Sequence, residues 1–274
     1  MFKPADIIID DFVARLRDEF ARAHPAASQQ QRETLDRAAR LAMTHVARSN
    51  ALFTNMESML LMCEVALSLL EGRQIERYDV TPRDWMNFVL AALSAYAGFT
   101  RGVVPGDVGR VLVVSEDGET VEMKRGLTDG FLTRWYVPRS QMFVRHYFAN
   151  EKELDAGAIA EMIAETRTPT PRTPPADLNS WGALLRACQI IAQGADPRFI
   201  QRSKRLFRQL EEAGYTEKMG YVTAADVVDT YPARFWEFLL PQIPKALSYL
   251  KYTGGGQLWL ARLNAHMLEE EHRE

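Results

Sequence analysis

Six charged residues, Arg101, Asp107, Asp129, Arg139, Arg145 and Arg167, have side chains that recognise either phosphate or one another. A guanidinium is planar and permanently charged, and its paired N–H donors match the spacing of phosphate oxygens. The same groups can instead form structural ion pairs that brace loops, Arg101 with Asp107 for example. Metal chemistry would need imidazoles, and there are five: His24, His45, His146, His266 and His272. His24 and His272 sit in polar or terminal stretches that read as solvated, while His45 and His266 lie on amphipathic helices as boundary residues. His146 has Asp129, Glu57 and Glu64 as company only if the fold gathers them. Ser58, Ser94 and Ser140 have no His/Asp partner in sequence that would make a nucleophile. Met56, Met59 and Met62 recur at i, i+3 and read as core filling. Trp135 and Tyr136 beside Arg134 and Arg139 form a stacking pattern, but there is no basic stripe to extend it to nucleic acid.

The chain that must position these residues has 274 residues, enough for a substantial core. Its net charge of −3 gives no electrostatic attraction to nucleic acid or to an anionic membrane. Cys63 and Cys188 are far apart in sequence and each stands among apolar neighbours, as buried thiols in a reducing compartment do. No Cys/His cluster has zinc spacing. The opening MFKPADIIIDDF has the pattern of neither a signal nor a transit peptide. No apolar run approaches the roughly 18 residues that span a bilayer. The expected location is cytoplasmic, with no membrane and no nucleic acid as partner.

Apolar residues recur mostly at helical spacing. Helices are expected at 10–23, from Ser28 onward, at 55–71 with Gly72 as its stop, and from Thr81 with Pro82 at the first helical position and Asp84 in the first turn. More follow at 139–148, 155–166, 180–193, 197–213 and, interrupted by proline, 231–252. Gly254-Gly255-Gly256 is expected to separate a last helix that ends in the charged tail 269–274, and it lacks the context of a dinucleotide-binding loop. One β-hairpin is expected at about 111–123, turning on Asp117-Gly118. The stretch 168–177 carries Pro169, Pro171, Pro174 and Pro175 and reads as a surface loop.

Stretch 81–107, TPRDWMNFVLAALSAYAGFTRGVVPGD, reads as a buried helix running into a glycine-punctuated loop. Its layout resembles the helix and loop that carry the His-Asp pair in HD-domain metal-dependent phosphohydrolases. Further likenesses follow in the same order: LTDGFLT, RSQMFVR, RACQIIAQGADP and YPARFWEF. The resemblance implies a mainly α fold, a single HD/PDEase-like helical domain over 1–274 with the small hairpin. Helices 10–49 and 231–271 would be its peripheral elements. In a working member, the arginines named above would face a substrate phosphate.

The resemblance also shows what has been replaced. An H-N-x-x-H pattern becomes Ala51 to Asn55, with alanine and asparagine at the histidine positions. The His-Asp pair becomes Ala95-Tyr96. The histidine of T-x-x-H-V-D-R becomes Tyr136, and the aspartate of R-A-x-D becomes Gln189. Divalent ions need carboxylates and imidazoles to offset their charge and dehydration. Alanine offers nothing, the amides offer one neutral carbonyl each, and a tyrosine would have to ionise far below its ordinary pKa near 10. Without a metal there is no activated water and no Lewis acid. The two tyrosines are large enough to refill the space.

The expectation is therefore a catalytically degenerate HD protein without catalytic residues or cofactor. It would act as a regulatory or scaffolding partner, alone or as a homo-oligomer, or as a sensor of a phosphorylated small molecule. One alternative is an active phosphohydrolase that binds divalent metal through rearranged ligands. Another is a structural subunit of a larger assembly.

Overall fold

The structure, a computed structural model, describes residues 4–271. His272 and the end of the predicted tail lie outside the described residues. The fold is mainly α with one two-stranded hairpin.

Helix α1 (Pro4–Ala23) buries Ile9, Phe12, Val13, Leu16 and Phe20, the i, i+3/i+4 spacing of one helical face. It pairs with α2 (Gln29–Val46), which starts at a reciprocal cap: Ser28 Oγ accepts from Gln31 N at 3.1 Å and Gln31 Oε1 accepts from Ser28 N at 3.0 Å. Helix α3 (Met56–Arg77) does not stop at Gly72 but runs through it to Tyr78, whose φ is 55°. The glycine serves a close approach instead: a Cβ there would stand 2.0 Å from the Tyr249 carbonyl oxygen. That oxygen belongs to the crossing helix α12 (Pro244–Leu250).

Helix α4 (Pro82–Ser94) begins where expected, on a Thr81/Asp84 capping box, and is buried at every residue from Trp85 to Ser94. A single 3-10 turn (Ala97–Phe99) leads into the loop before the hairpin of β1 (Val111–Val113) and β2 (Thr120–Glu122), in which Leu112 faces Val121. A 3-10 segment (Asp129–Arg134) precedes α5 (Tyr136–Tyr147), followed by α6 (Ala156–Ala164), α7 (Trp181–Gly194) and α8 (Phe199–Glu212).

The region after α8 is more broken than its apolar pattern implies. It holds α9 (Thr216–Met219), α10 (Ala224–Asp229) and α11 (Tyr231–Arg234), then a π turn (Phe235–Leu239) and a 3-10 turn (Leu240–Gln242) before α12. The three glycines expected as a spacer form the first turn of α13 (Gly254–Glu271). A Cβ on Gly256 would stand 2.1 Å from the Leu250 oxygen, so α12 and α13 meet too closely for a side chain.

One hydrophobic cluster runs through α1 to α7 and on into α11 to α13, with α3, α4 and α7 at its middle. A smaller one joins α8 to α10 through Leu206, Phe207, Leu210, Tyr221 and Val227. Among the described residues no helix is long and apolar enough to cross a membrane.

Candidate functional site

Two buried polar groupings lie on either side of the α4–α5 junction. The first is built on Arg139, in the first turns of α5 and fully buried. Its Nε donates to Gly98 O at 2.7 Å, one Nη to Asp107 Oδ1 at 3.0 Å and to Val113 O, and the other Nη to Asp107 Oδ2 and Thr100 O, both at 2.9 Å. All five guanidinium hydrogens are thereby used. Asp107 is equally committed, accepting from Gly102 N and Val113 N at 2.9 Å each. This pair ties the end of α4, the following loop and the hairpin to α5. It has no donor left for a ligand.

Arg101 does not pair with Asp107. It approaches buried Asp129, Nε to Oδ1 at 2.6 Å. Asp129 Oδ2 in turn accepts from Asn50 N at 2.9 Å, and Asn50 Oδ1 accepts from Asp129 N at 2.7 Å. Arg145 is exposed and paired with Glu116 at the hairpin turn, and Arg167 is exposed with its Nε on Ala164 O at 3.1 Å. The six charged residues thus divide into separate bracing contacts and do not converge on one anion.

The second grouping is the one the resemblance singled out. Tyr96 at the end of α4, Tyr136 at the start of α5 and Gln189 in α7 come together, all buried. Gln189 Nε2 donates to Thr166 O at 3.1 Å and lies 3.4 Å from both the Tyr96 hydroxyl and Thr168 Oγ. The Tyr136 hydroxyl donates to Thr166 O and lies 3.3 Å from Thr168 Oγ. Phe99 stacks on Tyr136 with ring centroids 4.6 Å apart, and Tyr96 lies 6.2 Å from the Tyr136 ring, so aromatic rings fill most of this region. Burial pushes the Tyr96 phenol well up and that of Tyr136 up to about 12. Both stay neutral at ordinary pH, which denies a cation the oxyanion it would need.

What space remains is a cavity of about 20 Å3 lined by Tyr96, Gln189, Thr168, Thr54, Ser58 and Arg202, among others. That is room for about one water molecule. Arg202, on α8, was not anticipated. It is 2% exposed, with Nη2 on Phe53 O at 3.1 Å and on the Ser58 hydroxyl. Asp196 at 3.0 Å and Glu57 at 3.3 Å balance its charge, but neither contact has hydrogen-bond geometry. Among the described residues, its Nε and Nη1 and the Gln189 Oε1 have no hydrogen-bond partner. A signal for Arg202 was present: it shares the apolar face of α8 with Phe199, Leu206 and Leu210. A charge on a core face is either paired or functional. Gln209 on the same helix fixes the adjoining chain, accepting from Phe53 N at 3.0 Å and Thr54 N at 3.1 Å.

The remaining expected positions lie apart from this cavity. Asn55 is the N-cap of α3, its Oδ1 accepting from Glu57 N at 3.1 Å and Ser58 N at 3.3 Å. Residues 51–55 are irregular chain before α3, not part of a helix. Ala51 and Ala95 are buried, and the Ala95 carbonyl accepts from Ser140 Oγ at 2.8 Å. His146 is exposed, while Asp129, Glu57 and Glu64 are engaged by Arg101, Arg198 and Arg15 respectively. Among the described residues no group of three or more His, Cys, Asp or Glu side chains is placed to hold a metal ion.

The sequence model of the Npun_R2479-like family matches residues 2–273, so the chain belongs to that family. No curated protein and no solved structure matches it.

Proposed function

We propose that this Npun_R2479-like protein acts by binding rather than by hydrolysis, as a degenerate relative of the HD phosphohydrolases. Its role is that of a regulatory or scaffolding partner, or of a sensor for a phosphorylated ligand. One observation carries this reading: Tyr96, Tyr136 and Gln189 meet as neutral groups, Gln189 in contact with the Tyr96 hydroxyl and sharing Thr166 O and Thr168 Oγ with Tyr136, and the space left beside Tyr96 and Gln189 is a cavity of about 20 Å3. A di- or trivalent substrate phosphate with its metal needs far more room and several anionic or imidazole ligands. The protein-partner version draws on exposed Ile7 and Ile8 of α1, the latter beside a groove with Met56, Leu60 and Leu61. A homo-oligomer would be one way of covering them.

The test is metal analysis of the purified protein after growth with Mn, Fe, Zn and Mg, combined with turnover assays on a phosphodiester and on nucleotides. Substoichiometric metal and no turnover are expected. Stoichiometric metal with turnover, both altered by Gln189→Ala or Tyr96→Phe, would overturn the proposal and favour the active phosphohydrolase with rearranged ligands.

A further inference from the structure

An open cleft of about 530 Å3 lies between the proline-rich loop and the short helices α9 and α11. Ligand pockets of small molecules run from about 300 to 1,000 Å3. Three cations line this one, Arg172, Lys218 and Arg234, against a single carboxylate, Glu237. None of the three cations forms an ion pair among the described residues. Most cations in the other clefts are paired, Arg17 with Asp36, Arg22 with Glu19, Arg37 with Glu151 and Arg198 with Glu57, while Arg32 donates to the Ala27 and Pro25 carbonyls. The cleft's lining carries a surplus of two positive charges, three minus one, in a chain whose net charge is −3.

The wall that carries Arg172 is built. Gln242, 1% exposed, donates from Nε2 to Pro171 O at 2.9 Å. Arg186, 6% exposed, donates to Thr173 O at 3.3 Å and to Gln242 Oε1 at 3.0 Å. Two buried polar side chains therefore hold the backbone of a segment that a mere connection would leave to water. The Arg172 guanidinium lies 4.3 Å from the Phe238 ring centroid. Stacking of this kind orients the guanidinium and leaves its N–H edges available. Pro169, Pro171 and Phe238 give the cleft an apolar side.

We propose that this cleft binds a small phosphate-bearing ligand, with Arg172, Lys218 and Arg234 taking the phosphate charge and Pro169, Pro171 and Phe238 meeting its apolar part. A surplus of two positive charges suits a dianion such as a phosphate monoester. Arginine forks match its oxygens better than they match a point anion. The inference does not depend on the state of the central cavity, because none of the three cations contributes to that cavity. Metal and turnover can therefore fail or succeed there without deciding this site.

Calorimetric titration of the full chain with AMP, pyrophosphate and inorganic phosphate tests it. Saturable binding of AMP or pyrophosphate is expected, weakened about tenfold or more in Arg172→Ala/Arg234→Ala and in Lys218→Glu. Arg145→Ala, on α5 and outside the cleft's lining, should bind as the unaltered chain does. Circular dichroism establishes that each variant is folded, and all four positions have at least partly exposed side chains whose loss the core tolerates. Absence of saturable binding by any probe, or equal affinity in the unaltered chain and the cleft variants, would overturn the proposal.

Discussion

Arg139 with Asp107, and Gln189 with its two tyrosines, are buried to similar depth on adjoining sides of the α4–α5 junction, yet they are finished differently. Around Arg139 every donor has an acceptor and every acceptor is a backbone group or the one carboxylate. Around Gln189 the groups are neutral, the bonds of Gln189 itself are longer, and among the described residues an amide oxygen and two guanidinium nitrogens nearby have no partner. Full satisfaction marks a polar cluster that holds the chain together. Incomplete satisfaction, in a place large enough for water, marks one that structure alone does not explain. Arginine at a suspected phosphate site is thus no sign of phosphate binding until its hydrogens are accounted for.

The largest break in this comparison is Asp107→Ala. It removes two of the acceptors of Arg139 and leaves a guanidinium buried without a counter-charge. Removing one partner of a buried ion pair costs about 3–5 kcal/mol, a large share of an ordinary domain's stability of about 5–15 kcal/mol. Urea unfolding should show that loss. A cost below about 1 kcal/mol would mean that the pair is not the brace described.

On the other side, Tyr136→Phe removes a hydroxyl whose acceptor, Thr166 O, keeps Gln189 Nε2 as a donor. The expected loss at neutral pH is therefore only about 1 kcal/mol. The phenol also gives the centre a pH signature. Its pKa is raised to about 12 by burial, from an unfolded value near 10. A raised pKa contributes stability that is complete below about pH 10 and is lost as the pH climbs through about 12. The gap between the unaltered chain and Tyr136→Phe should accordingly close from about pH 10 upward and then reverse in favour of the variant, the total change being on the order of 2 kcal/mol. Parallel stability curves across that range would contradict a neutral, buried Tyr136.

How much of this could be read beforehand follows from how far each feature reaches along the chain. The caps at Ser28, Thr81, Asp155 and Ser180 are local, and each stands where its side chain meets a backbone N–H three residues on. The apolar stripes of α1 and α2 are legible for the same reason. Gly72 and Gly256 read as breaks, yet each serves a close backbone approach, Gly72 to Tyr249 far along the chain and Gly256 to Leu250 in the helix just before it, and neither approach shows in an apolar pattern. The acceptors of Arg139 come from a 3-10 turn, a loop and a strand, so spacing could not distinguish it from Arg167, which stands in solvent. Tyr96, Tyr136 and Gln189 were singled out by resemblance and not by periodicity, and the fold brings those three together. Positions 51 and 55 went the other way, because an asparagine ahead of α3 is first of all a cap.

Arg145→Ala sharpens the comparison from its weak end. Arg145 is of the same residue type as Arg139 and six positions further along the same helix, but its side chain and that of its partner Glu116 are 45% and 59% exposed. Water already solvates both charges, and ordering two long side chains costs entropy, so such pairs contribute only about 0–1 kcal/mol. The single variant should lose about 0.5 kcal/mol or less, with the coupling to Glu116→Ala shrinking further as salt is raised. The Asp107→Ala loss should be nearly indifferent to salt, because its charges are shielded from ions by the protein itself. If both losses fell together with rising ionic strength, the Arg139 pair would be behaving as a solvated one, and depth of burial would not be what separates the two arginines.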